Sequence, residues 1–204
     1  TPVPQRPRLR NRPSFVKRGA CVVIESCPCR AVPGSTPGER GLPVHPCMSH
    51  AAHETVARLH LPVAPKCNIR CLYCERRVSP HLHQACPGVA AAVLSPQQAA
   101  ETAAEFRRRW GPEAIIGIAG PGEPLANPET LETLALIRAR LPDARFCLCT
   151  NGFALPDAVK HLHLLGVEHL SVTINAPTPA VAALIHPWVK QDGRIVRGRR
   201  AARL

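Results

Sequence analysis

Cys67, Cys71 and Cys74, in the segment CNIRCLYC, are the residues of this chain best spaced to do chemistry. Three thiolates on one tight loop can hold three corners of a 4Fe-4S cubane and leave the fourth iron without a protein ligand. That open iron can chelate the amino and carboxylate groups of S-adenosylmethionine and pass it an electron, so the hard chemistry belongs to the cofactors. Lys66 and Arg70 flank the loop and favour thiolate over thiol. The competing reading is a zinc site with His81 or His83 as fourth ligand. Structural zinc sites usually pair two C-x2-C knuckles, and no second knuckle is present. Inert buried thiols would not crowd together on a polar loop.

Gly120-Pro121-Gly122-Glu123-Pro124 lies 46 residues beyond Cys74. Alone it is a plain tight turn, and it lacks the Lys-Ser/Thr ending of a phosphate-binding loop. Beside the Cys loop it becomes a cradle for the methionyl group, whose ammonium would bond to backbone carbonyls or to Glu123. Upstream, His45-Pro46-Cys47-Met48-Ser49, with His50, His53 and His60, concentrates soft and borderline ligands. His60 falls inside a strand pattern and reads equally as a core histidine. Cys147 and Cys149 share one face of a strand, and one of them reads as a small buried hydrophobe. Cys21, Cys27 and Cys29 sit in a leader of uncertain use, and His161 and His163 on a helix surface receive no role.

These residues need elements to position them. Residues 1–46 read as a basic, Pro-rich, loop-like leader with one short strand at 20–24. Beyond it, apolar runs and helical segments alternate. Strands are expected at 58–64, 114–119, 145–149 and 169–175. Helices are expected at 96–110, capped by Ser95; at 128–141, capped by Asn127; at 157–165, closed by Gly166; and from 179 to 185. Strand–helix alternation at about 30-residue spacing calls for a parallel sheet of βαβ units. Cys67, Gly120–Glu123, Asn151–Gly152 and Asn175–Ala176 then all follow strands, at the carboxyl edge where such sheets carry their sites.

Composition narrows the function classes. The net charge of +12 is concentrated at the ends, +6 in residues 1–18 and +5 in residues 190–204, and aromatic residues are 3% of the chain. No basic face interleaved with aromatics is legible, so nucleic acid is not an expected partner. The basic ends read as solvated tails or incomplete helices. No run nears the roughly 20 apolar residues of a membrane span, and no apolar stretch follows the basic start as in a secretory signal. Ten cysteines without such a signal point to metal ligation or catalysis in a reducing compartment.

The segments HPCMSHAAH (45–53), ARLHLPVAPKCNIRCLYCERR (57–77), GIAGPGEPLANPET (117–130), LCTNGFALPD (148–157) and VTINAPTPAVAALIHPWV (172–189) resemble the NifB family of nitrogenase cofactor maturases, radical SAM proteins. The likeness runs from about residue 43 to the end. It implies a parallel (β/α) barrel over 47–204, of which about four βα units are present. The implied activity fuses two 4Fe-4S clusters around a carbide derived from the adenosylmethionine methyl group, giving the precursor of the nitrogenase iron–molybdenum cofactor. By position, Cys67, Cys71 and Cys74 would hold the adenosylmethionine cluster. Tyr73, Gly120, Pro121, Gly122, Glu123, Asn151, Thr173 and Asn175 would bind the cosubstrate. Cys47, His60 and Cys147 match positions implicated in holding the substrate clusters, which raises His60 above the core reading. Cys147 likewise stands above Cys149, where the family tends to have Ser.

Two departures accompany the likeness. The loop ERRVSPHLHQACPG carries Cys86 where the family has Arg, leaving Cys86, His81 and His83 as stand-ins for a nearby family cysteine. The chain also stops at Leu204, whereas family members continue to further strands and a C-terminal cysteine pair, so a truncated barrel is expected. The implied partners are cluster donors and cofactor carrier or scaffold proteins of nitrogenase assembly, in the cytoplasm, with no membrane. The alternatives are a non-catalytic cluster-binding or carrier fragment, or a different radical SAM enzyme. The latter would lack the HPC and AGPGEPLAN segments.

Overall fold

The computed structural model describes residues 45–46, 52–53, 56–81 and 86–204. Residues 1–44 of the leader, including its expected strand and Cys21, Cys27 and Cys29, lie outside the described residues, as do Cys47, His50 and His83. In chain order the elements are β1 (Arg58–Leu61), β2 (Ile69–Arg70), β3 (Arg77–Val78), β4 (Val89–Ala90), α1 (Pro96–Trp110) and β5 (Ile115–Ile118). A 3-10 turn (Pro124–Ala126) precedes α2 (Pro128–Arg140), β6 (Arg145–Thr150), α3 (Leu155–Leu164), β7 (Val167–Val172) and α4 (Pro179–Ile185). The chain ends with β8 (Trp188–Gln191), β9 (Arg194–Arg197) and α5 (Gly198–Ala201).

β1, β5, β6 and β7 form one sheet in that order, all parallel, with helices as the crossovers. Strand alternation divides its residues between two faces. Leu59, Leu61, Ile116, Ile118, Phe146 and Leu148 pack into a buried core with Ala99, Ala103 and Phe106 of α1 and Leu134 and Ile137 of α2. His60, Gly117, Cys147 and Cys149 therefore share the opposite, inner face. β5 is buried along its whole length, as an unbroken apolar run requires of a strand covered on both sides.

Local signals set most boundaries. Ser95 and Gln98 cap α1 reciprocally: the Ser95 hydroxyl accepts from Gln98 N at 3.2 Å, and Gln98 Oε1 accepts from Ser95 N at 2.9 Å. Gly111, at φ 82°, stops the helix. β1 ends at Leu61, short of the expected Ala64, because Pro62 has no N–H for the ladder. α3 starts at Leu155, two residues before the expected Asp157. β7 occupies 167–172 rather than 169–175.

The basic C-terminal stretch is the larger correction. Its six cations are exposed, as expected, and Gly198–Ala201 is a short helix, but β8 and β9 form an antiparallel hairpin that was not expected. Asp192 and Gly193 turn it, both at positive φ, 47° and 76°, as a two-residue Asp-Gly hairpin turn requires. β8 also pairs antiparallel with β2, so the hairpin adds to the Cys loop itself.

Candidate functional site

The loop after β1 carries Cys67, Cys71 and Cys74, all free thiols and half-buried. Three neighbouring segments fix its backbone. From the β5 side, Asn127 Oδ1 accepts from Lys66 N at 3.0 Å, while Asn127 Nδ2 donates to Lys66 O at 2.9 Å and Glu123 O at 2.7 Å. Asn127 stands at the expected cap position of α2, yet its side chain makes no capping bond; it holds the Cys loop instead. Gly122 N donates to Ala64 O at 2.6 Å and Glu123 N to Lys66 O at 2.8 Å. From the β6 side, Asn151 Nδ2 donates to Asn68 Oδ1 at 2.7 Å. From the C-terminal side, Lys190 N donates to Asn68 O at 2.6 Å, and Leu72 N donates to Ile185 O at 3.0 Å. Arg76 donates to Ile69 O and lies over the Trp188 ring, 5.5 Å from its centroid.

The other expected cosubstrate residues line the same sheet edge. Gly120, Pro121, Gly122 and Glu123 leave β5, and Pro121 bridges in parallel to Ala64. Glu123 is buried, and its carboxylate accepts from Thr150 Oγ1, from Leu125 N at 3.1 Å and from Asn151 N at 2.7 Å. It thereby fastens the ends of β5 and β6 together. Thr173 N donates to Thr150 O at 2.8 Å just past β7, and the Tyr73 hydroxyl donates to Asn175 Oδ1, joining the Cys loop to the β7 loop. Burial raises the Cys71 thiol pKa, and Cys67 and Cys74 raise it further. Tyr73 opposes this by hydrogen bonding, and Arg76 by its charge. The Tyr73 phenol is itself held well above its ordinary range, first by burial and then by Cys71.

On the inner face, His60 and Cys147 flank Gly117. A Cβ built at Gly117 would stand 2.7 Å from His60 Cδ2 and 2.8 Å from Cys147 Sγ. His45, which sequence reading placed in a ligand-rich segment without assigning it, is buried and stacks on His169 with ring centroids 4.1 Å apart. His169 pairs in register with Cys147 across β6 and β7. Sequence reading missed His169, whose only signal was its place on a strand next to Cys147. Burial lowers the pKa of both His45 and His60 to about 4, helped by nearby cations that include Arg58. At neutral pH both rings are uncharged and keep a nitrogen lone pair. Cys47 lies outside the described residues.

The donor set fits a cubane. Among the described residues no three His, Cys, Asp or Glu side chains converge on a single metal ion. A cubane takes one thiolate per iron and needs no such convergence. Two glycines let neighbouring backbone close on the loop. A Cβ at Gly88, where φ is +75°, would meet Cys74 Sγ at 2.4 Å, and one at Gly122 would meet Lys66 O at 2.1 Å.

Four parallel βα units, with a cysteine triplet after the first strand and glycine and asparagine turns after the next three, define a radical-type iron–sulfur protein. The radical SAM superfamily profile matches residues 61–198, and the chain belongs to that superfamily, with the fold of a partial parallel (β/α) barrel. Such proteins use a 4Fe-4S cluster and S-adenosylmethionine. Within it, the chain is similar to the FeMo cofactor biosynthesis protein NifB of Klebsiella pneumoniae, 45% identical over 161 residues, 78% of this chain and 34% of that one. The NifB of Methanocaldococcus infernus is 39% identical over 163 residues, 80% of this chain and 54% of that one. The chain thus spans about a third to a half of the length of these relatives. A solved structure of BtrN in complex with AdoMet and 2-DOIA covers 60% of this chain and 47% of its own, at 22% identity and a TM-score of 0.43. Among the described residues no helix is long and apolar enough to cross a membrane.

Proposed function

We propose that this chain is the radical SAM part of a nitrogenase cofactor maturase, with residues 47–204 as its catalytic core. One observation carries the reading: the Cys loop and the GPGE turn are joined backbone to backbone at the sheet's carboxyl edge, through Gly122 N to Ala64 O and Glu123 N to Lys66 O. Cys67, Cys71 and Cys74 would hold the cluster, leaving one iron for the cosubstrate. When bound, the cluster supplies the electron that splits the sulfonium into methionine and a 5′-deoxyadenosyl radical.

The chain's own residues orient and enclose. Gly120, Pro121 and Gly122 bring backbone up to the methionyl group without side-chain obstruction. Glu123 keeps that turn registered against Thr150 and Asn151. Tyr73 and Asn175 close the loop ends together on the exposed side, where Thr173 also lies. His60 and Cys147, with Cys47, would hold substrate 4Fe-4S clusters on the inner face, His60 as a neutral imidazole. The proposed reaction joins two such clusters around a carbide carbon from the methyl group of a second cosubstrate molecule, whose thioether remainder, S-adenosylhomocysteine, leaves. The 5′-deoxyadenosyl radical would take one hydrogen atom from that carbon, and the others would leave as protons. Cluster donors and cofactor carriers of the assembly pathway, in the cytoplasm, would be the partners.

The test is anaerobic reconstitution of the chain. Cys67→Ala should abolish the charge-transfer absorbance of the cluster and 5′-deoxyadenosine formation. Zinc in place of iron, or undiminished 5′-deoxyadenosine, would defeat the assignment.

A further inference from the structure

The row of residues that would receive a substrate cluster continues onto β7. At one level of the sheet the registers align His60 with Gly117, Gly117 with Cys147, and Cys147 with His169. His169 reaches that level through a bulge. The β6–β7 register shifts by one residue between Phe146 and Cys147, so Val167 stands opposite Phe146 while His169 stands opposite Cys147. Val167 and Leu170 both pack against the core although they are three positions apart, which regular strand alternation does not allow. Bulges re-aim side chains and are frequent beside active sites. Without the extra residue Glu168 would stand opposite Cys147. Its carboxylate pairs instead with Arg145 at 3.2 Å. The bulge therefore sets an imidazole where a carboxylate would repel an anionic cluster.

That imidazole has a partner of its own. It stacks on His45, with centroids 4.1 Å apart and planes 29° from parallel. His45 is buried, and the charges acting on it include those of Arg58 and Arg145. These two arginines stand one inner-face level nearer the amino ends of the strands, joined in register through Ile115. The stacked pair thus borders the His60–Cys147 row on the side away from the carboxyl edge. We propose that His169 is a positioning residue of the inner-face site: by holding His45 in the stack, it fixes the border against which a substrate 4Fe-4S cluster is seated between His60 and Cys147. The inference rests on the inner-face reading of His60 and Cys147 and deepens it. His169 acts through the shape of its ring, so another flat aromatic ring serves in its place.

The test uses the full chain carrying Cys67→Ala/Cys71→Ala/Cys74→Ala, which removes the cosubstrate cluster, and a synthetic thiolate-ligated 4Fe-4S cluster as probe. Uptake is titrated anaerobically, and the reduced product is read by electron paramagnetic resonance. In this background His169→Ala should bind the probe about tenfold or more weakly, as loss of a group that orients ligands does, and should broaden its resonance. His169→Phe keeps a ring to stack on His45 and should restore both. His45→Ala should match His169→Ala, and the double variant should be no worse than either, because both remove one contact. His169→Asn, ring-less but polar, gives the same reading where the alanine variant does not fold. Unchanged affinity and resonance in the ring-less variants overturns the inference and leaves the inner-face reading standing. So does a His169→Phe variant as weak as His169→Ala, which would make the nitrogens rather than the ring the working part, and so do additive losses in the double variant. If the parent background takes up no cluster, the inner-face reading fails first and this inference with it.

Discussion

A methyl group added at Gly122 would stand 2.1 Å from the Lys66 carbonyl oxygen and 2.8 Å from that of Ala64. Both obstacles are backbone, so the GPGE turn would have to leave the Cys loop. Gly122→Ala should cost about 1–3 kcal/mol or more, as overpacking does, and should lower the iron retained after reconstitution. Urea midpoints and iron-to-protein ratios check this; a variant matching wild type in both would show that the two loops are not coupled. Gly117 differs, because its obstacles are the side chains of His60 and Cys147. Gly117→Ala should leave 5′-deoxyadenosine formation largely intact while added 4Fe-4S substrate is bound more weakly. Loss of both together would remove support for an inner-face substrate site. At this scale the Cys triplet and the GPGE turn were legible because each is a contiguous motif whose chemistry lies in its own residues. The work of Asn127 and Glu123 was not. Their partners, Lys66 and Asn151, lie 61 and 28 positions away in the sequence, and no local pattern announces a bond across that distance.

Between elements, Arg138 on α2 does what no single strand or helix does for itself. Its guanidinium donates to Leu165 O at 3.1 Å, Pro142 O at 2.6 Å and Gly166 O at 3.2 Å, and lies over the Phe146 ring at 4.6 Å. It thus ties the turn before β6 to the turn before β7, where Gly166, at φ +75°, takes a conformation that favours glycine and leaves room for Arg138 Nη2, 2.5 Å from where a Cβ would stand. Lysine keeps the charge but not the fork. Arg138→Lys should therefore lower stability by about 1–3 kcal/mol, read as a urea midpoint, with the β7 edge more open to hydrogen exchange than β5. Equal protection of the two strands would place the loss elsewhere. Helix starts were legible here because Ser95, Pro96, Pro128 and Pro179 act within one turn. The C-terminal hairpin was masked by its charge. Its Asp-Gly turn was present in the sequence, but six cations made the stretch resemble a solvated tail.

Over the whole molecule, the four parallel strands were readable from alternating apolar runs, whereas the contact of His45 with His169 at their inner face was not. His45 precedes β1 and His169 lies on β7, the two edges of the sheet, yet the rings stack at 4.1 Å. His45 therefore lies beside the strand farthest from β1, a contact that no local pattern in the sequence announces. The resulting burial leaves His45 and His60 with pKa values of about 4, against an ordinary value of 6.5. A folded-state value below the unfolded one means that the unfolded chain binds the extra protons. Stability from these two rings is fully present above pH 6.5 and is lost as pH falls toward 4. The cluster-free protein should show urea midpoints that fall through this window. His60→Gln, which cannot take up a proton, should fall less steeply between pH 6.5 and 5 than wild type does, even if its midpoint at pH 7 is lower. Parallel slopes for the two proteins would mean that His60 is not held neutral, and would remove the reason for assigning it as a lone-pair donor to iron.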